Sequence, residues 1–173
     1  MKYMIKNHIK EDQLSGRALN FFKDNKVMVI PQRAKFLNIA IKTVVLDDER
    51  EVNYTKLLLA TGGEAFIPPI PGSKLKGVYP QRTLADTRAI CNLADKGQYK
   101  RCLVLGAGVL GTELAESLKE RGVDVEIFTL DPILVPRMID EKASKIIEHE
   151  FTKHGIKIHF KTGFKEILGN DKG

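Results

Sequence analysis

Three glycines, Gly106, Gly108 and Gly111, stand in the spacing G-x-G-x-x-G between an apolar run at residues 102–105 and a helical pattern at residues 109–121. That setting gives each glycine a separate physical task. The first permits a tight turn, the second lets backbone approach a pyrophosphate, and the third lets helix and strand pack closely. The helix start then offers unpaired N–H groups and a partial positive charge to phosphate oxygens. Gly106, Gly108, Val109, Leu110 and Gly111 are therefore the expected contacts of a bound dinucleotide. The competing reading is a tight strand–helix turn that holds nothing.

The surrounding pattern reads β-α-β-α-β. Gly122 stops the first helix, and a second strand is expected at residues 123–130. A proline-punctuated loop at residues 131–138 leads to Asp140, a predicted N-cap for a helix reaching about residue 154. Gly155 ends that helix, and residues 156–160 make a third strand. Strands alternating with helices imply a parallel sheet, here an α/β, Rossmann-like βαβαβ unit.

The first half is organised differently. A helix is expected over about residues 11–24, then short strands at residues 26–31, 34–39, 42–46 and 52–54, forming a small β-meander. The apolar run 57–63 (L-L-L-A-T-G-G) suits a strand buried on both faces. The proline-rich stretch 67–72 cannot pair as a central strand, and it marks a crossing between domains. Nothing upstream supplies parallel neighbours for the 57–59 run, and residues 164–168 start a strand that turn residues 169–173 leave without its return. Both sheets read as cut open, so a chain truncated at both ends is expected.

Composition excludes several classes. With 43% apolar and 29% charged residues, the chain is an ordinary globular one, and no run approaches the roughly 20 apolar residues that span a bilayer. The lysine-bearing start has no continuous apolar segment of a secretory signal, so the cytoplasm is the expected location. Net charge is +6, but the 28 Lys and Arg are interspersed with 22 acidic residues, which argues against nucleic acid as a partner. Cys91 and Cys102 lack metal-ligand or C-x-x-C spacing, and His149 and His154 miss the spacing of a helical metal pair, so no metal site is expected. Cys102 reads as a small core residue.

Four segments together resemble the pyridine nucleotide-disulfide oxidoreductase superfamily, and within it NADH oxidases, rubredoxin reductases and nitrite reductase-like flavoproteins. They are residues 54–62 (Y-T-K-L-L-L-A-T-G) with the tail 67–72 (I-P-P-I-P-G), residues 82–86 (R-T-L-A-D), residues 106–116 and residues 134–140 (L-V-P-R-M-I-D). The resemblance implies an FAD domain and an inserted NAD(P)H domain, with hydride passing from nicotinamide to flavin. It implies that residues 1–75 are a partial FAD-binding segment and residues 76–173 the NAD(P)-binding domain, its last strands missing. By motif position Ala60, Thr61 and Gly62 would lie against FAD through backbone contacts, and Glu113 near the nicotinamide. Unaided, the first three read equally well as a strand ending in a glycine turn, and Glu113 as an acid complementing the helix dipole.

Departures from the family pattern carry equal weight. No G-x-G-x-x-G precedes Tyr54, and no C-x-x-x-x-C dithiol is present. Thr129 stands where an NAD-preferring protein places an acid for the ribose 2′-OH, with Asp131 two residues on as a substitute. No Lys or Arg directly follows Thr129, so NADH is expected over NADPH. Hydride transfer demands no catalytic side chain here, since the cofactors carry the chemistry. The sequence thus supports an NAD(P)H-dependent FAD oxidoreductase whose acceptor is oxygen, rubredoxin, nitrite or another redox partner protein. The alternative is a dinucleotide-binding module without turnover.

Overall fold

The computed structural model describes residues 2–14 and 20–169. In chain order come α1 (Lys2–Ile5), a 3-10 turn (Glu11–Leu14), α2 (Phe21–Asp24), β1 (Ala34–Asn38), β2 (Thr43–Leu46) and β3 (Glu51–Asn53). Then follow α3 (Leu84–Asp95), β4 (Arg101–Leu105), α4 (Val109–Glu120), β5 (Asp124–Phe128), α5 (Glu141–Lys153) and β6 (Lys157–His159). Two compact units result: Met1–Leu14 with Glu64–Gly173, and Ser15–Gly63. Among the described residues no helix is long and apolar enough to cross a membrane.

In the larger unit β4, β5 and β6 form a parallel sheet in that order, with Val104 beside Ile127 and Ile127 beside Ile158. This is the expected βαβαβ pattern, with α4 and α5 as the connections. Val104, Val125 and Ile127 are buried with Ala115 and Leu118 of α4 and with Leu134. Asp140 caps α5 as expected, its side chain accepting from the Ala143 amide at 2.9 Å. The segment 164–168, expected as a strand, is irregular. Its backbone is tied instead by the Ile167 amide donating to the Pro71 carbonyl at 2.9 Å.

Arg101, Leu103, Leu105, Glu126, Phe128, Lys157 and His159 alternate with the core residues and so lie on the opposite sheet face. There the Glu126 carboxylate accepts from Arg101 of β4 and from His159 of β6, the latter at 2.8 Å. His159 in turn stacks on Phe128 with 4.3 Å between ring centres.

Two features of this unit lay outside the sequence reading. Helix α3 begins with a reciprocal capping box, the Asp86 amide donating to Thr83 Oγ1 at 3.1 Å and the Thr83 amide to Asp86 Oδ2 at 2.7 Å. Helix α1 packs on α3 and α4, burying Ile5 completely. Arg121 donates to the carbonyls of Met4 (3.0 Å) and Ile5 and pairs with Asp95. Lys6 reaches Glu116 and Glu120 at 2.9 and 2.7 Å.

The smaller unit contains the antiparallel meander β1-β2-β3. Thr43 pairs with Asn38 on one side and Asn53 on the other, and its hydroxyl donates to Asn53 Oδ1 at 2.7 Å. The helix expected over residues 11–24 is represented by the 3-10 turn and α2, residues 15–19 lying outside the described residues. The strand expected at residues 26–31 is a loop. Lys26 takes a left-handed φ of +56°, which breaks extended geometry, and Pro31 has no amide to give a ladder. The apolar run at residues 57–59 is not a buried strand either. Leu58 and Leu59 are 86% and 68% exposed, because no strand among the described residues pairs with this run.

Candidate functional site

The glycine loop leaves the C-terminal end of β4 and enters α4 directly. Gly106 adopts φ +111°, a conformation open to glycine and strained for other residues, and its amide donates to the Phe128 carbonyl at 2.8 Å. That bond joins the ends of β4 and β5. At Gly111 an added Cβ would sit 2.1 Å from the Gly106 carbonyl oxygen, so helix and loop touch through bare backbone. Gly108 differs from both. It has φ −74° and ψ 179°, open to any residue, and a Cβ added there would meet nothing within 4 Å. Backbone conformation accounts for Gly106 and close packing for Gly111, whereas neither accounts for Gly108.

Helix α4 starts at this glycine with no side-chain cap. Its first amides have no intrahelical acceptor by geometry, and the helix dipole adds partial positive charge. Thr112 braces the turn from within, its amide donating to the Gly108 carbonyl at 3.0 Å and its hydroxyl to the same oxygen at 3.1 Å. Val109 and Leu110 are exposed beside the loop. Glu113, one turn into α4, lines an open cavity of about 220 Å³ with Leu110, Leu114, Gln81 and Arg82.

At the end of the adjacent strand, Thr129 is buried and Asp131 exposed. The Thr129 hydroxyl donates to Asp131 Oδ2 and accepts from the Asp131 amide, both at 3.2 Å. Thr129 is fastened on its other side, its amide donating to the His159 carbonyl at 3.0 Å and its carbonyl accepting from Thr162 at 2.9 Å. The hydroxyl at the expected ribose position is thus turned inward, and the exposed carboxylate is that of Asp131. The fold brings Gly106, Gly108, Val109, Leu110, Gly111, Thr129 and Asp131 to the same ends of two neighbouring strands. Ala60, Thr61 and Gly62 belong to the smaller unit, where they are exposed and Gly62 has φ +75°.

A third contributor lies in the family-like segment 134–140, whose contact with the loop the sequence did not signal. The amide of Val135 donates to the carbonyl of Ala107, the residue between the first two glycines, at 2.8 Å. The amide of Leu134 donates to the buried hydroxyl of Ser144 at 2.8 Å. Val135 precedes Pro136, which predicts an extended backbone, yet its φ is +48°.

Beneath the loop, Cys102 on β4 carries a thiol that burial pushes up to about 11, and burial raises Cys91 as well. Both cysteines are free, and the core role expected of Cys102 matches its burial.

Residues 4–173 match the family model for pyridine nucleotide-disulphide oxidoreductases, and the chain belongs to that family. An NADH oxidase of Methanocaldococcus jannaschii is 37% identical over 166 residues, 95% of this chain and 36% of that protein. A nitrite reductase [NAD(P)H] of Bacillus subtilis is 40% identical over 131 residues, 76% of this chain and 16% of its own length. Among solved structures, a NAD-dependent persulfide reductase from A. fulgidus superposes with TM-score 0.86 at 25% identity, over 98% of this chain and 34% of that one. The chain therefore spans about a third or less of these relatives.

Proposed function

We propose that the chain is part of an FAD flavoprotein that takes hydride from a nicotinamide dinucleotide, NADH in preference to NADPH. Residues 76–173 are the dinucleotide-binding part and residues 1–75 a segment of the flavin-binding part. The observation that carries the reading is Gly108. Its glycine is needed neither by backbone conformation nor by packing, which leaves approach of a ligand backbone-to-phosphate as the physical reason for it. Relatives named NADH oxidase and nitrite reductase [NAD(P)H] support the same cofactor class.

When bound, the nicotinamide and flavin supply the redox chemistry, and the protein supplies binding and orientation. Gly106, Gly108, Val109, Leu110 and Gly111 hold the pyrophosphate against the start of α4. The Asp131 carboxylate, steadied by Thr129, accepts from the adenosine ribose hydroxyls. Glu113, which the family motif puts near the nicotinamide, lines the open cavity with Leu110 and Arg82. Ala60, Thr61 and Gly62 present exposed backbone to the flavin. The acceptor in this reading would be oxygen, rubredoxin, nitrite or another redox protein, and a cytoplasmic location belongs to the same reading.

A second reading is favoured by the unpaired, exposed run 57–59. In it these 173 residues bind the dinucleotide without turnover, because no strand among the described residues pairs with the run 57–59. Calorimetric titration with NADH tests the shared core of both readings, and visible absorbance after incubation with FAD separates them. One-site saturable binding is expected. A folded chain that takes up no NADH would sink both readings.

A further inference from the structure

Val135 bonds the backbone of the glycine motif at Ala107, and Ser144 holds its neighbour Leu134; neither belongs to the contact set above. The Ala107–Gly108 peptide is trans, so its C=O and N–H point in opposite directions. The Ala107 carbonyl is committed to the Val135 amide at 2.8 Å, and Ala107 itself is 1% exposed. The Gly108 amide must then point away from Val135.

The segment making that contact is itself fixed at several points. Leu134 is fully buried, and its amide donates to Ser144 Oγ, also buried, at 2.8 Å. The Val135 carbonyl accepts from Met138 at 3.0 Å and Ile139 at 3.3 Å. Val135 is β-branched, precedes proline and still holds φ +48°, a region such residues avoid. A conformation of that kind persists only where its surroundings over-determine it, and such residues cluster at functional sites. Ser144 sits in the first turns of α5, so that helix is linked through Leu134–Val135 to the glycine loop.

We propose that Val135 and Ser144 are positioning residues, which aim the Gly108 amide at the pyrophosphate by locking the Ala107 carbonyl. This rests on the dinucleotide reading. Val135→Gly accepts the left-handed conformation without strain but lets the segment leave it, and Ser144→Ala removes the acceptor that pins Leu134. Each is expected to weaken NADH binding by calorimetry about tenfold, the size of one lost hydrogen bond. Each is also expected to shift the Gly108 amide resonance in ¹⁵N-resolved spectra of the ligand-free chain. A role confined to stability would lower the melting temperature and leave both readouts of the folded chain in place. Folded variants with parental affinity and an unmoved Gly108 resonance overturn the proposal, and Val135→Gly decides it alone should Ser144→Ala not fold. A parent chain that binds no NADH overturns the dinucleotide reading instead, and the Gly108 resonance then decides whether the lock exists.

Discussion

Gly111 and Gly106 meet so closely that a single methyl group on Gly111 would lie 2.1 Å from the Gly106 carbonyl oxygen. The neighbour is backbone, and its position is set by the strand ends, so it cannot yield cheaply. Gly111→Ala should cost about 3 kcal/mol as an overpacking change, roughly 6–12 °C in melting temperature. Gly108→Ala should melt with the parent chain yet lose NADH affinity at least tenfold. Calorimetry and thermal melts on the two variants check this contrast. Equal melting losses in both would remove the argument for ligand approach at Gly108.

Asp131→Ala should weaken NADH about tenfold, one charge-assisted hydrogen bond, and change NADPH affinity by no more than about twofold. The carboxylate that helps a 2′-OH repels a 2′-phosphate. Thr129→Val, nearly isosteric and buried, should move the ratio the same way by less, since it removes both contacts that steady Asp131. Paired titrations with the two cofactors give the answer, and parallel losses for both would reduce Asp131 to a loop-packing role.

The Glu126 carboxyl is held below the usual glutamate range by its hydrogen bonds from His159 and Arg101. A group whose folded pKa is depressed contributes fully above its unfolded value, about 4.3, and that contribution is lost as pH falls through the folded pKa. The melting temperature should therefore drop as pH is lowered from about 5 to 3. Glu126→Gln should be less stable at pH 7 and show a shallower acid decline. A parallel acid limb in the variant would show that other carboxylates dominate.

With its thiol pushed up to about 11, Cys102 has a thiolate fraction near one in a thousand at pH 8. Iodoacetamide at that pH should leave both cysteines of the native chain unlabelled for hours and modify both in denaturant. Mass spectrometry reads this directly, and fast native labelling of Cys102 would mean that β4 is open to solvent.

The half that carries β4 to β6 was legible because its signals are local. Gly106, Gly108, Gly111, Gly122, Asp140 and Gly155 sit where chain direction changes, and their chemistry is that of turns and caps. Thr83 and Asp86 carried an equally local signal for α3, a Thr with an acid three residues on, which family likeness obscured. The run 57–59 misled because hydrophobicity specifies burial, and burial needs partner strands that composition cannot supply. Residues 26–31 misled for the opposite reason, one left-handed lysine outweighing a β-rich composition. The contact from Val135 to Ala107 could not be read at all. It links backbone to backbone across the fold, and side-chain identity records neither end.

Arg121 holds the carbonyls of Met4 and Ile5 across 117 and 116 positions of sequence. A growing chain thus makes α1 long before its binding place on α4 has left the ribosome. Until then the hydrophobic face around Ile5 stays uncovered or in the care of a chaperone. Docking of α1 requires closure of a long loop, an entropic cost that the propensity of a four-residue helix does not offset.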